Sequence, residues 1–124
     1  GNSEYNLTGG GVKTGLDLGA SEVVGTYSFD PAEHAAVTAI SLRAEGWTST
    51  GGLTGAVELY NPDTAAVVAT VNLTSATPGE PVVDDAPLAS VPAVPVLFWL
   101  RMSVDNTGLG SDVFRLLRAV LLMT

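Results

Sequence analysis

The residues able to do covalent chemistry are few and badly placed for it. His34 is the single histidine, so any serine–histidine–aspartate arrangement would have to use it. It stands in the turn-like stretch Pro31–Ala35, and no Gly-x-Ser-x-Gly elbow occurs, so an exposed loop position is expected. One histidine and no cysteine exclude a histidine-built metal site, a zinc–thiolate site, a disulfide and a thiol nucleophile. Asp84 and Asp85 are adjacent, and neighbours on a strand point to opposite faces, so they do not converge as an acid–base pair. Asp63, Asp84, Asp85, Asp105 and Asp112 fall in expected loops or strand ends. Calcium takes six to eight oxygen ligands, and no EF-hand spacing is present, so these are expected to be solvated acids, with calcium as the alternative. A glycosidase needs two carboxylates roughly 5–10 Å apart, and no spacing singles out such a pair. Gly9–Gly11 lacks the GxxxxGK[ST] pattern of a phosphate loop. The expectation is therefore no catalytic residue, no cofactor, no metal and no enzyme.

The large aromatics offer a different chemistry. Trp47, Tyr60 and Trp99 are the ones expected to show a face to the outside. Flat rings on an antiparallel sheet can stack on sugars, and they can equally form the apolar centre of a protein contact. Trp99 alternates away from Phe98 and shares a face with Leu97, which favours a covered contact over an open platform.

Composition narrows the partners. Thirteen acidic residues against five basic ones give a net charge of −8. The basic residues Lys13, Arg43, Arg101, Arg115 and Arg118 are scattered singly. Nucleic acid and anionic membrane surfaces both require clustered positive charge, so neither is an expected partner. No apolar run approaches the roughly 18 residues of a membrane span. A 124-residue chain suits one core. With 46% hydrophobic and 15% charged residues, it is poorer in charge than the roughly 25% of an average soluble domain. Some of its outer surface is thus expected to be covered by other subunits.

The punctuation, 14 glycines and 7 prolines, recurs at the spacing of an antiparallel sandwich. Residues 1–20 read as an arm or edge strands, and 21–124 as one β-sandwich domain. Strands are expected at Ser21–Phe29, Val37–Glu45 (Ile40, Leu42 and Ala44 inward), Leu53–Tyr60 (Val57 and Leu59 inward) and Ala66–Leu73 (Val67, Ala69, Val71 and Leu73 together). Pro78, Pro81, Pro87, Pro92 and Pro95 mark a long crossing connection with one short strand near Pro81–Asp84. Val96–Val104 alternates strictly, with Val96, Phe98, Leu100, Met102 and Val104 on one face. Val113–Met123 fits either a helix capped by Ser111 or Asp112, or a strand apolar on both sides; the β-rich context favours the strand. Unbroken alternation would then place Phe114, Leu116, Val120 and Leu122 on a face needing outside cover.

This order of strands, with the Leu59-Tyr60-Asn61 sequence before a Pro-Asp turn, resembles small jelly-roll β-sandwich domains of bacteriophage virion proteins and of carbohydrate-binding modules. The resemblance covers about residues 35–124 and implies an all-β, antiparallel, jelly-roll or Greek-key-like sandwich of about eight strands. Two functions follow as expectations. The first is a non-enzymatic structural protein, such as a virion decoration or tail component, that forms homo-oligomers (a trimer suits a virion) through apolar sheet faces. The second is a carbohydrate-binding module. Candidate interface or ligand-face residues are Trp47, Tyr60, Leu97, Trp99, Phe114, Leu116, Val120 and Leu122. A virion or extracellular location is expected.

Overall fold

The computed structural model describes residues 3–8, 11–14, 21–106 and 111–124. Residues 1–2, 9–10, 15–20 and 107–110 lie outside them, and with them most of the glycine run Gly9–Gly11. The strands are β1 (Ser3–Thr8), β2 (Gly11–Thr14), β3 (Glu22–Phe29), β4 (Ile40–Thr48), β5 (Leu53–Asn61), β6 (Ala66–Leu73), β7 (Val82–Pro87), β8 (Val96–Asn106) and β9 (Val113–Met123). The last segment is a strand and not a helix.

Two antiparallel sheets form. One runs β1-β9-β4-β7, with β2 also on β9; the other runs β3-β8-β5-β6. β1 pairs with the C-terminal half of β9 and β2 with its N-terminal half, so together they occupy one interrupted edge position. Counted that way there are eight strand positions, and successive strands cross between the sheets everywhere except at the β5–β6 hairpin. That is jelly-roll connectivity, the expected fold class. The core fills the space between the sheets with the alternating residues of both: Ile40, Leu42 and Ala44 of β4; Leu53, Val57 and Leu59 of β5; Val96 to Val104 of β8.

Alternation breaks where a strand carries one residue more than its partner. In β9 the ladder to β4 shifts between Glu45 and Gly46, with Arg118 opposite Glu45 but Leu116 opposite Gly46. Leu117 is the surplus residue. A bulge of this kind reverses which side chains face inward. Phe114 and Leu116 before it, and Ala119, Leu121 and Met123 after it, are therefore all buried in the core. This corrects the expectation that Phe114 and Leu116 lie on an outer contact face. The same device acts in β6, where the shift between Leu59 and Tyr60 turns Val67 outward while Ala69, Val71 and Leu73 stay buried.

Phe114 is accommodated by two missing side chains. A methyl at Gly55 of β5 would overlap its ring, and one at Gly46 of β4 would stand 2.5 Å from the Arg115 carbonyl oxygen and 3.1 Å from the ring.

The crossing connection after β6 is fastened to β4 by a reciprocal pair. Thr48 N–H donates to Ser75 Oγ, and Ser75 N–H donates to Thr48 Oγ1, both at 2.9 Å. The two hydroxyls donate onward to the Thr50 and Glu80 carbonyls at 2.9 and 2.7 Å. Both residues are buried, and the ring of bonds satisfies every side-chain oxygen it buries.

The β5–β6 turn follows its sequence. Asp63 N–H donates to Asn61 Oδ1 at 3.0 Å. Ala65 sits at φ 53°, a left-handed conformation that an L side chain resists. Its side chain is exposed. Ala65→Gly is expected to raise stability by about 1 kcal/mol, read as a higher urea midpoint at unchanged slope.

Candidate functional site

The outer surface of the β3-β8-β5-β6 sheet gathers three of the expected contact residues. Strict alternation in β8 sends Leu97, Trp99, Arg101 and Ser103 outward, and alternation in β5 sends out Ala56, Glu58 and Tyr60. Register then sets Tyr60 opposite Trp99 and Glu58 opposite Arg101. The Tyr60 and Trp99 rings lie 5.6 Å apart at 36°. The Arg101 guanidinium carbon stands 4.0 Å from the centre of the Tyr60 ring, and Arg101 Nη2 donates to Glu58 Oε1 at 3.3 Å. Arg101 Nε is buried without an acceptor among the described residues. Tyr60 is thus packed between an indole and a cation, both attractive to its π system. Leu97, 48% exposed, and Val67, 43% exposed, stand on the same surface. Thr26, Ser28, Thr70 and Asn72 surround them with small polar groups.

The outer surface of the other sheet has the opposite character. Arg43 binds Asp85 through two bonds, Nε to Oδ1 at 2.7 Å and Nη2 to Oδ2 at 2.8 Å. Arg118 pairs with Glu4 and lies opposite Glu45. Charges of alternating sign therefore run from β1 across β9 and β4 to β7. The hydrogen bond from Arg43 holds the Asp85 carboxyl below the usual aspartate range. An open depression of about 170 Å³ is lined by Arg43, Glu45, Val83, Arg118 and Val120. Val120 is 1% exposed, lying between Arg43 across the ladder and Arg118 along the strand. Long arginine stems close over apolar neighbours in this way while their heads stay wet. Val120 is accordingly already covered within the single chain, and Leu122 beside it is half-buried. Trp47 is on this sheet too, with the Arg115 guanidinium carbon 6.0 Å from its ring, so the three expected aromatics do not form one platform.

His34 is not an exposed loop residue. It is half-buried, stacked on Phe29 at 5.1 Å and edge-on to Tyr5 at 5.6 Å, with Tyr27 Oη 3.5 Å from Nε2. Burial, then Tyr5 and Glu33, raise the Tyr27 pKa. Asp30 organises the turn that carries His34, its Oδ1 accepting from Ala32 N–H at 2.9 Å. Asp84 and Asp85 diverge, as adjacent strand residues must: Asp85 reaches Arg43, while Asp84 Oδ1 accepts from the Asp85 N–H at 2.9 Å. Among the described residues no group of three or more His, Cys, Asp or Glu could hold a metal. No helix there is long and apolar enough to cross a membrane.

No protein-family model matches the sequence, and no curated protein sequence does. Solved structures do. A CBM36-1 domain of a multidomain xylanase from the hindgut metagenome of Trinervitermes trinervoides is similar with a TM-score of 0.54 at 11% identity, covering 98% of this chain and 96% of that one. A protein of the infectious bursal disease virus particle gives 0.60 at 14%, covering 98% of this chain and 31% of that one. An Arthrobacter globiformis isomalto-dextranase gives 0.55 at 18%, covering 98% and 23%. The chain spans about a third of the virus protein and about a quarter of the dextranase. At these identities the likeness is one of fold: the chain is a small jelly-roll β-sandwich of the kind found in virus particle proteins and in carbohydrate-binding modules.

Proposed function

We propose that this domain is a non-enzymatic binding and assembly module, a structural component of a virion-type particle, whose contact surface is the outer face of the β3-β8-β5-β6 sheet. The observation that carries this reading is the Trp99–Tyr60–Arg101 cluster standing on an exposed sheet face beside Leu97 and Val67. Tryptophan, tyrosine and arginine are the residues that dominate protein contact energies, and exposed apolar groups gathered around them mark interaction surfaces. The opposite sheet, with its ion pairs, suits water. His34, packed among three aromatic rings, supports the absence of a catalytic role.

The second reading is carbohydrate binding, favoured by the same two rings and by the likeness to the CBM36-1 domain. It is the weaker one because Tyr60 already has Trp99 and Arg101 packed against it, leaving little flat surface for a sugar ring.

One reporter tests both. In a Trp47→Phe background, Trp99 is the sole tryptophan. Its emission is expected to shift to the blue as protein concentration rises, with Leu97→Asp raising the midpoint at least tenfold. Emission that ignores concentration but shifts on adding soluble xylan or dextran supports the second reading. Emission insensitive to concentration and to both glycans rejects both.

A further inference from the structure

We infer that β6 is an edge built for strand-to-strand pairing with a second copy of this chain, extending the β3-β8-β5-β6 sheet across a two-fold axis. Among the described residues β6 closes one side of its sheet and pairs with β5 alone. An edge strand presents unpaired backbone donors and acceptors, and proteins that stay apart blunt such edges with charge, proline, bulges or brevity.

The remaining edges carry those devices. β7 has Asp84, Asp85 and the terminal Pro87. β3 starts at Glu22 and shifts register between Val23 and Gly25. β1 and β2 are short and divide their edge between them. β6 has neither proline nor charge: its sequence is Ala-Val-Val-Ala-Thr-Val-Asn-Leu, and no charged residue falls between Asp63 and Glu80. Its own register shift lies at the turn end, opposite Leu59 and Tyr60, leaving the ladder from Ala69 to Leu73 regular.

Charge decides the occupant. Two copies of a chain with net charge −8 repel each other, and the contact that adds least to that repulsion is a strand free of charge along its whole length. A basic partner would instead be drawn to the acidic residues, and β6 has none to offer. Antiparallel pairing about a two-fold also makes the strand its own complement, and the closed symmetry ends growth at a dimer because the far edges are blunted. Val67, turned outward opposite Tyr60, makes the edge continuous with the aromatic face. The inference does not depend on that face being a contact.

Sedimentation velocity of the intact chain from micromolar to about millimolar concentration tests it. With the sheet face disabled by Leu97→Asp a monomer–dimer equilibrium is expected, with alternate amides of β6 gaining protection from hydrogen exchange as dimer forms. Thr70 and Asn72 are exposed, so Thr70→Lys/Asn72→Lys and Thr70→Glu/Asn72→Glu leave the core alone. Both pairs place like charges across the axis, and both are expected to weaken the dimer at least tenfold. The lysine pair lowers the net negative charge and the glutamate pair raises it, so a response to overall charge moves the two in opposite directions and overturns the inference. A monomer throughout, or a dimer untouched by either pair, overturns it as well. Leu97→Asp leaves this dimer intact, which separates the edge from the sheet-face reading.

Discussion

Gly55→Ala is expected to destabilise the domain by about 3 kcal/mol, the upper end for overpacking a filled core. The added methyl has nowhere to go: it meets the Phe114 ring across the sandwich. Phe114 is fully buried, and its ring also lies against Gly46, so it is hemmed in by β4 as well as by β5. Phe114→Ala is expected to cost about 4 kcal/mol for the opposite reason, an unfilled hole. The two changes share one space, so they must couple. Gly55→Ala combined with Phe114→Leu should be more stable than the sum of the single effects by about 1 kcal/mol or more. Urea denaturation of the unsubstituted protein, Gly55→Ala, Phe114→Leu and the double variant measures this directly. Additive effects would mean the ring does not lie over Gly55.

Leu121→Asp is expected to unfold the chain, while Leu122→Asp leaves it folded. Leu121 is fully buried opposite Leu42 and Tyr5. An unpaired carboxylate there costs several kcal/mol, comparable to the whole stability of a domain of this size. Leu122 is half-buried on the outer side, opposite Ser41 and Glu4. An aspartate there loses some packing and sits near Glu4, an effect of about 1 kcal/mol. Circular dichroism and solubility distinguish the two variants. A folded Leu121→Asp beside an unfolded Leu122→Asp would place every side chain after the β9 bulge on the wrong face.

Most of the strands were legible because their alternation is uninterrupted. β5 from Leu53 to Tyr60 and β8 from Val96 to Val104 repeat with period two, and so their inward and outward sets, including Leu97, Trp99 and Tyr60, follow from the sequence. β9 was misread over its first half because an apolar run on both faces hides the surplus residue. The arginines held the missing signal. Arg115 and Arg118 are an odd number of positions apart, so an unbroken strand would drive one of them into the core. An extra residue between them lets both reach solvent, as both do. Val67 was misplaced for the same reason, with no charged neighbour to betray the shift. His34 was misjudged because local turn chemistry does not reveal that Tyr5, from a distant strand of the other sheet, closes over it. The separation of Trp47 from Tyr60 and Trp99 is a matter of topology: β4 belongs to one layer and β5 and β8 to the other, which composition does not encode.

The row of paired arginines and acids across β1, β9, β4 and β7 makes the molecule two-sided, like a tile glazed on its back. Copies that adhered by the Trp99 side would turn the glazed side outward, and there Arg43 and Arg118 are already matched by Asp85 and Glu4. On the proposed reading, the outward layer gives an arriving copy no second aromatic face to grip, and a coat built this way would be one molecule thick.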